Sequence, residues 1–183
     1  MANAAPEVIR PLRRIEYDQL VALGVFEDER IELLDGLLVV MSPIGAPHSS
    51  AVQKLTELLV LALHGRASVR CQMPLAAGDL SEPEPDLTVV PVGDYDTNHP
   101  HQAYLVIEVA DSSLATDRGR KLRLYARCNI AEYWIVNLAD RCIEVYTEVS
   151  GDAYARLEKH ERGQAVRSSA FNDVEVRVAD VMK

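Results

Sequence analysis

The segment Tyr104-Leu105-Val106-Ile107-Glu108-Val109 constrains this chain more than any other. It is apolar on both alternating faces, the pattern of a strand buried on two sides. Such a strand belongs in the interior of a sheet with covering layers above and below. The 183 residues supply the material for that core, 48% of them hydrophobic and 26% charged. A disordered chain is excluded. The apolar runs, such as Leu58–Leu63 and Tyr133–Val136, are too short to span a bilayer.

Around that strand the elements follow from periodicity. Ile15–Leu23 suits a short helix after a partly ordered tail, residues 1–14. Ile31–Leu34 and Leu37–Met41 flank Asp35-Gly36, a pair that accepts positive φ and therefore suits a two-residue hairpin. From His48 to about Leu63, the spacing of Val52, Leu55, Leu59, Ala62 and Leu63 predicts an amphipathic helix. Ser68–Leu75, Asp86–Val90 and Tyr104–Val109 have strand length, and Asp117–Cys128 is helical. Tyr133–Leu138 and Cys142–Thr147 pair around Ala139-Asp140, while Ala153–Lys159 and Val174–Val178 carry weaker strand patterns. No repeat or Gly/Ser linker interrupts residues 15–183, which read as one domain. The order implies an α/β (α+β mixed) class: a mixed sheet flanked by helices.

The net charge of −9 argues against binding nucleic acid through bulk positive charge. Its distribution is more informative. Between Cys71 and Asp117 there is no Lys or Arg, but nine acids: Asp79, Glu82, Glu84, Asp86, Asp94, Asp96, Glu108, Asp111 and Asp117. Five bases follow without an acid among them: Arg118, Arg120, Lys121, Arg123 and Arg127. An acidic block beside a basic helix suits a divalent cation next to a phosphate; it equally suits an acidic loop before a solvated helix. The three cysteines, Cys71, Cys128 and Cys142, have neither disulfide nor zinc-ligand spacing and read as small core residues. The N-terminus lacks an apolar signal core, so the cytoplasm is the expected compartment. With two Phe and one Trp, an aromatic single-strand binding surface has little support, and Tyr133-Trp134 read as core.

Three polar residues sit where apolar ones belong. Glu108 lies within the buried strand, on the face of Val106 and Tyr104, and an ionised carboxylate there needs a partner or a metal. Asp86 opens a strand directly after Pro85, near Glu108 if the two strands are neighbours. Lys121 falls in the middle of its helix's apolar arc, within about 40° of Tyr125, while Arg120, Arg123 and Arg127 gather on the far side, toward solvent or a ligand. Asp117, one turn earlier, could pair with Lys121 or cap the helix. Two carboxylates at adjacent strand ends suit Mg²⁺ or Mn²⁺. A lysine beside them could orient or deprotonate a water and offset charge on a phosphate, a combination for metal-assisted phosphodiester hydrolysis.

These residues carry a resemblance. Glu84-Pro85-Asp86, then Glu108-Val109, then a lysine on the next helix is similar to the PD-(D/E)XK nuclease superfamily. The whole set more closely resembles the Uma-type family, whose members are classed by sequence as restriction endonucleases. The matching stretches are Ile31-Glu32-Leu33-Leu34-Asp35-Gly36, Met41-Ser42-Pro43-Ile44-Gly45 with His48, and Ser81 to Asp86. The longest runs from Ile107 to Leu114, continued by Asp117-Arg118, Lys121, Tyr125-Ala126 and Ile130 to Val136. The resemblance implies a restriction-endonuclease-like fold and a Mg²⁺- or Mn²⁺-dependent DNA endonuclease, as a homodimer. Asp86 and Glu108 would hold the metal with the backbone carbonyl of Val109, and Lys121 would take the lysine role from the helix. The superfamily's usual lysine position is here Ala110. Glu32, similar to an acid recurrent in the family's hairpin, would complete the site or equally be a surface residue of that hairpin. Gln72 would line the site, and His48, opening the first long helix, would cap, pack or meet a phosphate. Asn129 replaces a glycine common in relatives, and Asn tolerates the same left-handed helix end. The alternative is a non-catalytic module that keeps the fold as a binding or regulatory partner. A small-molecule phosphohydrolase lacks support, since no Gly-rich phosphate loop is present.

Overall fold

The computed structural model describes residues 9–182; residues 1–8 of the expected tail, and Lys183, lie outside the described residues. In chain order the elements are α1 (Arg14–Ala22), β1 (Ile31–Leu34), β2 (Leu37–Val40), α2 (Ala46–Leu63), β3 (Ser68–Cys71), β4 (Leu87–Val90) and β5 (Leu105–Ala110). A short α3 (Leu114–Thr116) runs through a wide π-helical turn (Asp117–Lys121) into α4 (Leu122–Arg127). Then come β6 (Glu132–Asn137), β7 (Cys142–Ser150), β8 (Ala153–Glu161), β9 (Ala165–Arg167), β10 (Glu175–Arg177) and α5 (Val178–Val181).

Strands β3 to β8 form a six-stranded sheet in sequence order. Only β5 and β6 run parallel; the other neighbours are antiparallel. The parallel pair needs a crossover, and the helical segment from Leu114 to Arg127 provides it. As its sequence requires, β5 is interior and all six of its residues are buried. Its alternation separates two cores. Leu105, Ile107 and Val109 pack with Val52, Leu55 and Leu59 of α2 and with Val176, Val178 and Val181 near the C-terminus. Val106 and Ala110 pack with Leu124 and Tyr125 of α4 and with Leu34 of β1. Glu108 therefore points to the α4 side.

Two local details follow from residue chemistry. Asp35 and Gly36 have φ of 51° and 76°, so the β1–β2 hairpin closes through two left-handed residues as the dipeptide predicts. Asn129 takes φ 55° just past α4, the left-handed position for which Asn substitutes for glycine. Two elements depart from the expected pattern. Ser68–Leu75 pairs only as far as Cys71, because Gln72 turns left-handed at φ 49°. Asp117–Cys128 is not one regular helix: the N–H of Leu122 reaches back five residues to the carbonyl of Asp117. Tyr133 and Trp134 are both fully buried, as core residues. Cys142 is buried, and Cys71 and Cys128 are half-buried free thiols. Among the described residues, no helix is long and apolar enough to cross a membrane.

Candidate active site

The β4–β5 ladder pairs Leu87 with Ile107 and Thr88 with Val106. One step further along that antiparallel register, Asp86 stands opposite Glu108. Directly opposed residues share a face and bring their Cβ atoms within about 5 Å. Both carboxylates lie at the end of the ladder, and both are buried, at 9% and 3% exposure. Asp86 Oδ2 accepts the Val109 backbone N–H at 2.8 Å and lies 3.0 Å from His48 Nε2. Its Oδ1 accepts Gln72 Nε2 at 3.3 Å. Glu108 Oε1 accepts Lys121 Nζ at 3.1 Å and the Tyr125 hydroxyl at 2.6 Å.

Lys121 is buried, as its place in the apolar arc predicts, and its ammonium bridges two carboxylates. It lies 3.1 Å from Glu108 Oε1 and 3.1 Å from Glu32 Oε2. Glu32 is on β1, and its Oε2 also receives the Glu84 backbone N–H at 3.2 Å. The hairpin thus closes over the sheet edge and contributes an acid. Asp117 takes neither position open to it from pattern alone. It forms no ion pair with Lys121 among the described residues, accepting instead the Ser113 hydroxyl at 2.5 Å. Nor does it cap the helix, which begins three residues earlier at Leu114. The Tyr133 hydroxyl donates to its backbone carbonyl at 3.2 Å and so pins the wide turn.

Four buried carboxylates (Glu32, Asp86, Glu108 and Asp117) adjoin one cleft of about 200 Å³ with a single buried ammonium, that of Lys121, and the more exposed Glu84, Asp111 and Arg30 line it as well. Burial raises the Glu108 carboxyl to about 8; Lys121 opposes this, while Asp117, Asp86 and Glu32 reinforce it. Burial also raises Asp117 to about 6, against the pull of Ser113 and Lys121. For Lys121, burial alone would lower the pKa, but Glu108 and Glu32 reverse that and hold it above the ordinary lysine value. This ammonium keeps its proton at neutral pH. In that state it suits orienting a water or offsetting anionic charge.

The sequence-predicted residues divide cleanly. Asp86, Glu108, Val109 and Lys121 line the cleft together with Glu32, His48, Gln72 and Asp117. Arg120, Arg123 and Arg127 do not. Arg127 is held by Asp35 in the hairpin turn, and Arg118 by both oxygens of Glu144. Tyr125, whose hydroxyl meets Glu108, carries no functional signal in the sequence, because a tyrosine at an apolar helical position reads as packing.

The donor set fits a hard divalent cation: carboxylates with free lone pairs, in a cleft with surplus negative charge. Among the described residues, no three His or acid groups around Asp86 converge within 4.8 Å; Asp140, Cys142 and Glu144 do so at the β6–β7 turn. That second group is filled from within. Arg118, Asn137 and Tyr146 occupy the oxygens of Glu144, and Asn137 also bonds Asp140. At Asp86 and Glu108 a cation would have two carboxylates and complete its shell with backbone oxygen and water, as Mg²⁺ commonly does.

Among solved structures, the fold is similar to the crystal structure of "a putative nuclease belonging to DUF820 from Anabaena variabilis". The TM-score is 0.74 at 13% sequence identity, covering 93% of this chain and 97% of that one. At that identity the likeness speaks for the fold alone, which is restriction-endonuclease-like. Among curated proteins none matches. Residues 15–179 match the family described as "Uma2: Putative restriction endonuclease", and on that match over most of its length the chain belongs to this family.

Proposed function

We propose that this protein is an endonuclease that hydrolyses phosphodiester bonds in DNA and requires Mg²⁺ or Mn²⁺. Family membership supports a nuclease. The observation that carries the reading is the cross-strand pair Asp86 and Glu108, buried with Lys121 at one cleft that has more carboxylates than cations. Asp86, Glu108 and the Val109 carbonyl would hold the ion, which when bound acts as a Lewis acid and lowers the pKa of water.

The chain's own residues have distinct parts in this scheme. Lys121, fixed between Glu32 and Glu108, presents a positive charge to a phosphate oxygen or orients the attacking water. His48, Gln72 and the Val109 N–H fix the plane of the Asp86 carboxylate. Arg120 and Arg123, without ion-pair partners among the described residues, are better placed than Arg127 to meet a nucleic-acid backbone. Such binding falls steeply with salt. The reading includes a homodimer, which rests on the superfamily resemblance alone, and a cytoplasmic location.

The test is incubation of purified protein with plasmid, linear duplex and single-stranded DNA across several divalent ions. Asp86→Ala and Glu108→Ala should abolish cleavage while the protein still melts cooperatively. Full activity in either variant, or in excess chelator, removes the assignment. Metal-dependent stabilisation without cleavage of any substrate would point to the non-catalytic module instead.

A further inference from the structure

Each carboxylate oxygen has about two lone-pair positions for donors or a metal. At Glu108, Oε1 is filled by two donors, Lys121 Nζ at 3.1 Å and the Tyr125 hydroxyl at 2.6 Å. Oε2 receives no donor among the described residues, and it is not one of the sealed polar atoms without a partner, so it reaches solvent. Asp86 has the same asymmetry. Its Oδ2 is filled by His48 and the Val109 N–H, leaving Oδ1 with one longer bond from Gln72.

We infer that Tyr125 is a positioning residue of the metal site: with Lys121 it engages Oε1 of Glu108, so that Oε2 is the oxygen offered to the cation. The inference rests on the proposed metal-dependent reading. Tyr125 is fully buried on α4, and its ring packs against Tyr133 at a centroid distance of 5.0 Å. The Tyr133 hydroxyl in turn holds the carbonyl of Asp117, where the wide turn begins. The donor that orients Glu108 is thereby braced by the same turn that delivers Lys121. Lys121 alone cannot fix the carboxylate, because its ammonium is shared with Glu32. Loss of a hydrogen bond that orients a metal ligand typically weakens metal affinity 10–100-fold.

The decisive comparison pairs Tyr125→Phe with Tyr146→Phe. Tyr146 also donates to a buried glutamate, Glu144 Oε2 at 2.8 Å, away from the cleft. Both variants lose one tyrosine–carboxylate bond, so both should melt at a lower temperature. Calorimetric titration with Mn²⁺, on full-length folded protein, should show affinity reduced about tenfold or more in Tyr125→Phe and unchanged in Tyr146→Phe. In the unmutated protein, Mg²⁺ should also perturb the near-ultraviolet tyrosine spectrum, as charge is drawn from Glu108. Wild-type affinity in folded Tyr125→Phe, or a silent tyrosine spectrum on Mg²⁺ saturation, overturns the inference and leaves the proposed activity standing. An unmutated protein that binds neither ion overturns both.

Discussion

Glu108 on β5 and Glu132 on β6 are buried glutamates on neighbouring strands, and they are satisfied in opposite ways. Glu132 is fully buried. Its Oε1 accepts Trp134 Nε1, and its Oε2 accepts the Ser169 N–H with the hydroxyls of Ser168 and Ser169. Both oxygens are in use, and the carboxylate ties the loop before β10 to the sheet. Glu108 has one oxygen in use and one open, beside three more acids. Burial of charge therefore does not by itself mark a functional carboxylate; incomplete satisfaction facing a cleft does.

Exchanging the two charges should break the molecule in opposite ways. Glu108→Gln should lower cleavage by more than about 10³-fold with Tm little changed at pH 7, since burial already raises the Glu108 carboxyl to about 8 and the amide mimics its neutral form. Glu132→Gln should leave cleavage intact and cost about 2 kcal/mol, seen as a Tm lower by roughly 4–8 °C at this chain length. Plasmid nicking and thermal melting read both; the reverse pattern would end the distinction.

A smaller effect is expected from Lys121→Met. Cleavage should fall about 10²–10³-fold, the scale for losing one electrostatic donor. The two acids left behind repel each other when ionised, so the variant should lose more stability at pH 8 than at pH 6, where Glu108 can hold a proton. Equal losses at both pH values would show that Glu108 is not the group responding.

The smallest effect concerns a third buried glutamate. Glu82, in a bridge to β1, has Oε2 sealed without a hydrogen bond, with Arg14 at 3.6 Å. Burial raises its carboxyl to about 7, helped by Asp18 and opposed by Arg14. The folded form then binds its proton more tightly than the unfolded one, so stability falls as pH rises from about 4.5 through 7. Glu82→Gln should raise Tm at pH 8, by no more than about 3 kcal/mol of stability, and leave it unchanged at pH 4.5. It does not line the cleft, so cleavage should be unaffected. A melting series across pH separates this carboxylate, strained but idle, from Glu108.

What the sequence made legible was residues in the wrong company. Glu108 amid Val106 and Val109, and Lys121 in an apolar arc, stood out because a charge there demands a partner. The β1–β2 turn was legible because few dipeptides accept two positive φ values. Tyr125 was not, since its ring satisfies the apolar pattern and its hydroxyl leaves no periodic trace. Glu32 emerged only by resemblance: a single acid in a four-residue strand carries no signal of its own. Charge counted along the chain also misled in detail. The run from Arg118 to Arg127 looks uniformly basic, yet Arg118 and Arg127 spend their charge on Glu144 and Asp35, acids outside the run. The short β9 and α5 left too few residues to set a period.

The wide turn between α3 and α4 has a consequence for how this segment tolerates change. In a regular helix Asp117 and Tyr125 would point about 80° apart. A turn closed over five residues instead of four absorbs most of that offset, and Asp117, Lys121 and Tyr125 all end up buried. Gly119, midway through the turn, has open space where a Cβ would go, with nothing within 4 Å. Substitution there is sterically free, and excision of the same residue would convert the wide turn into an ordinary one with Asp117 and Tyr125 seven residues apart, still within about 20° of each other. The segment can therefore shed that one residue without turning its buried face, whereas adding another would rotate Asp117 by roughly a further 100°.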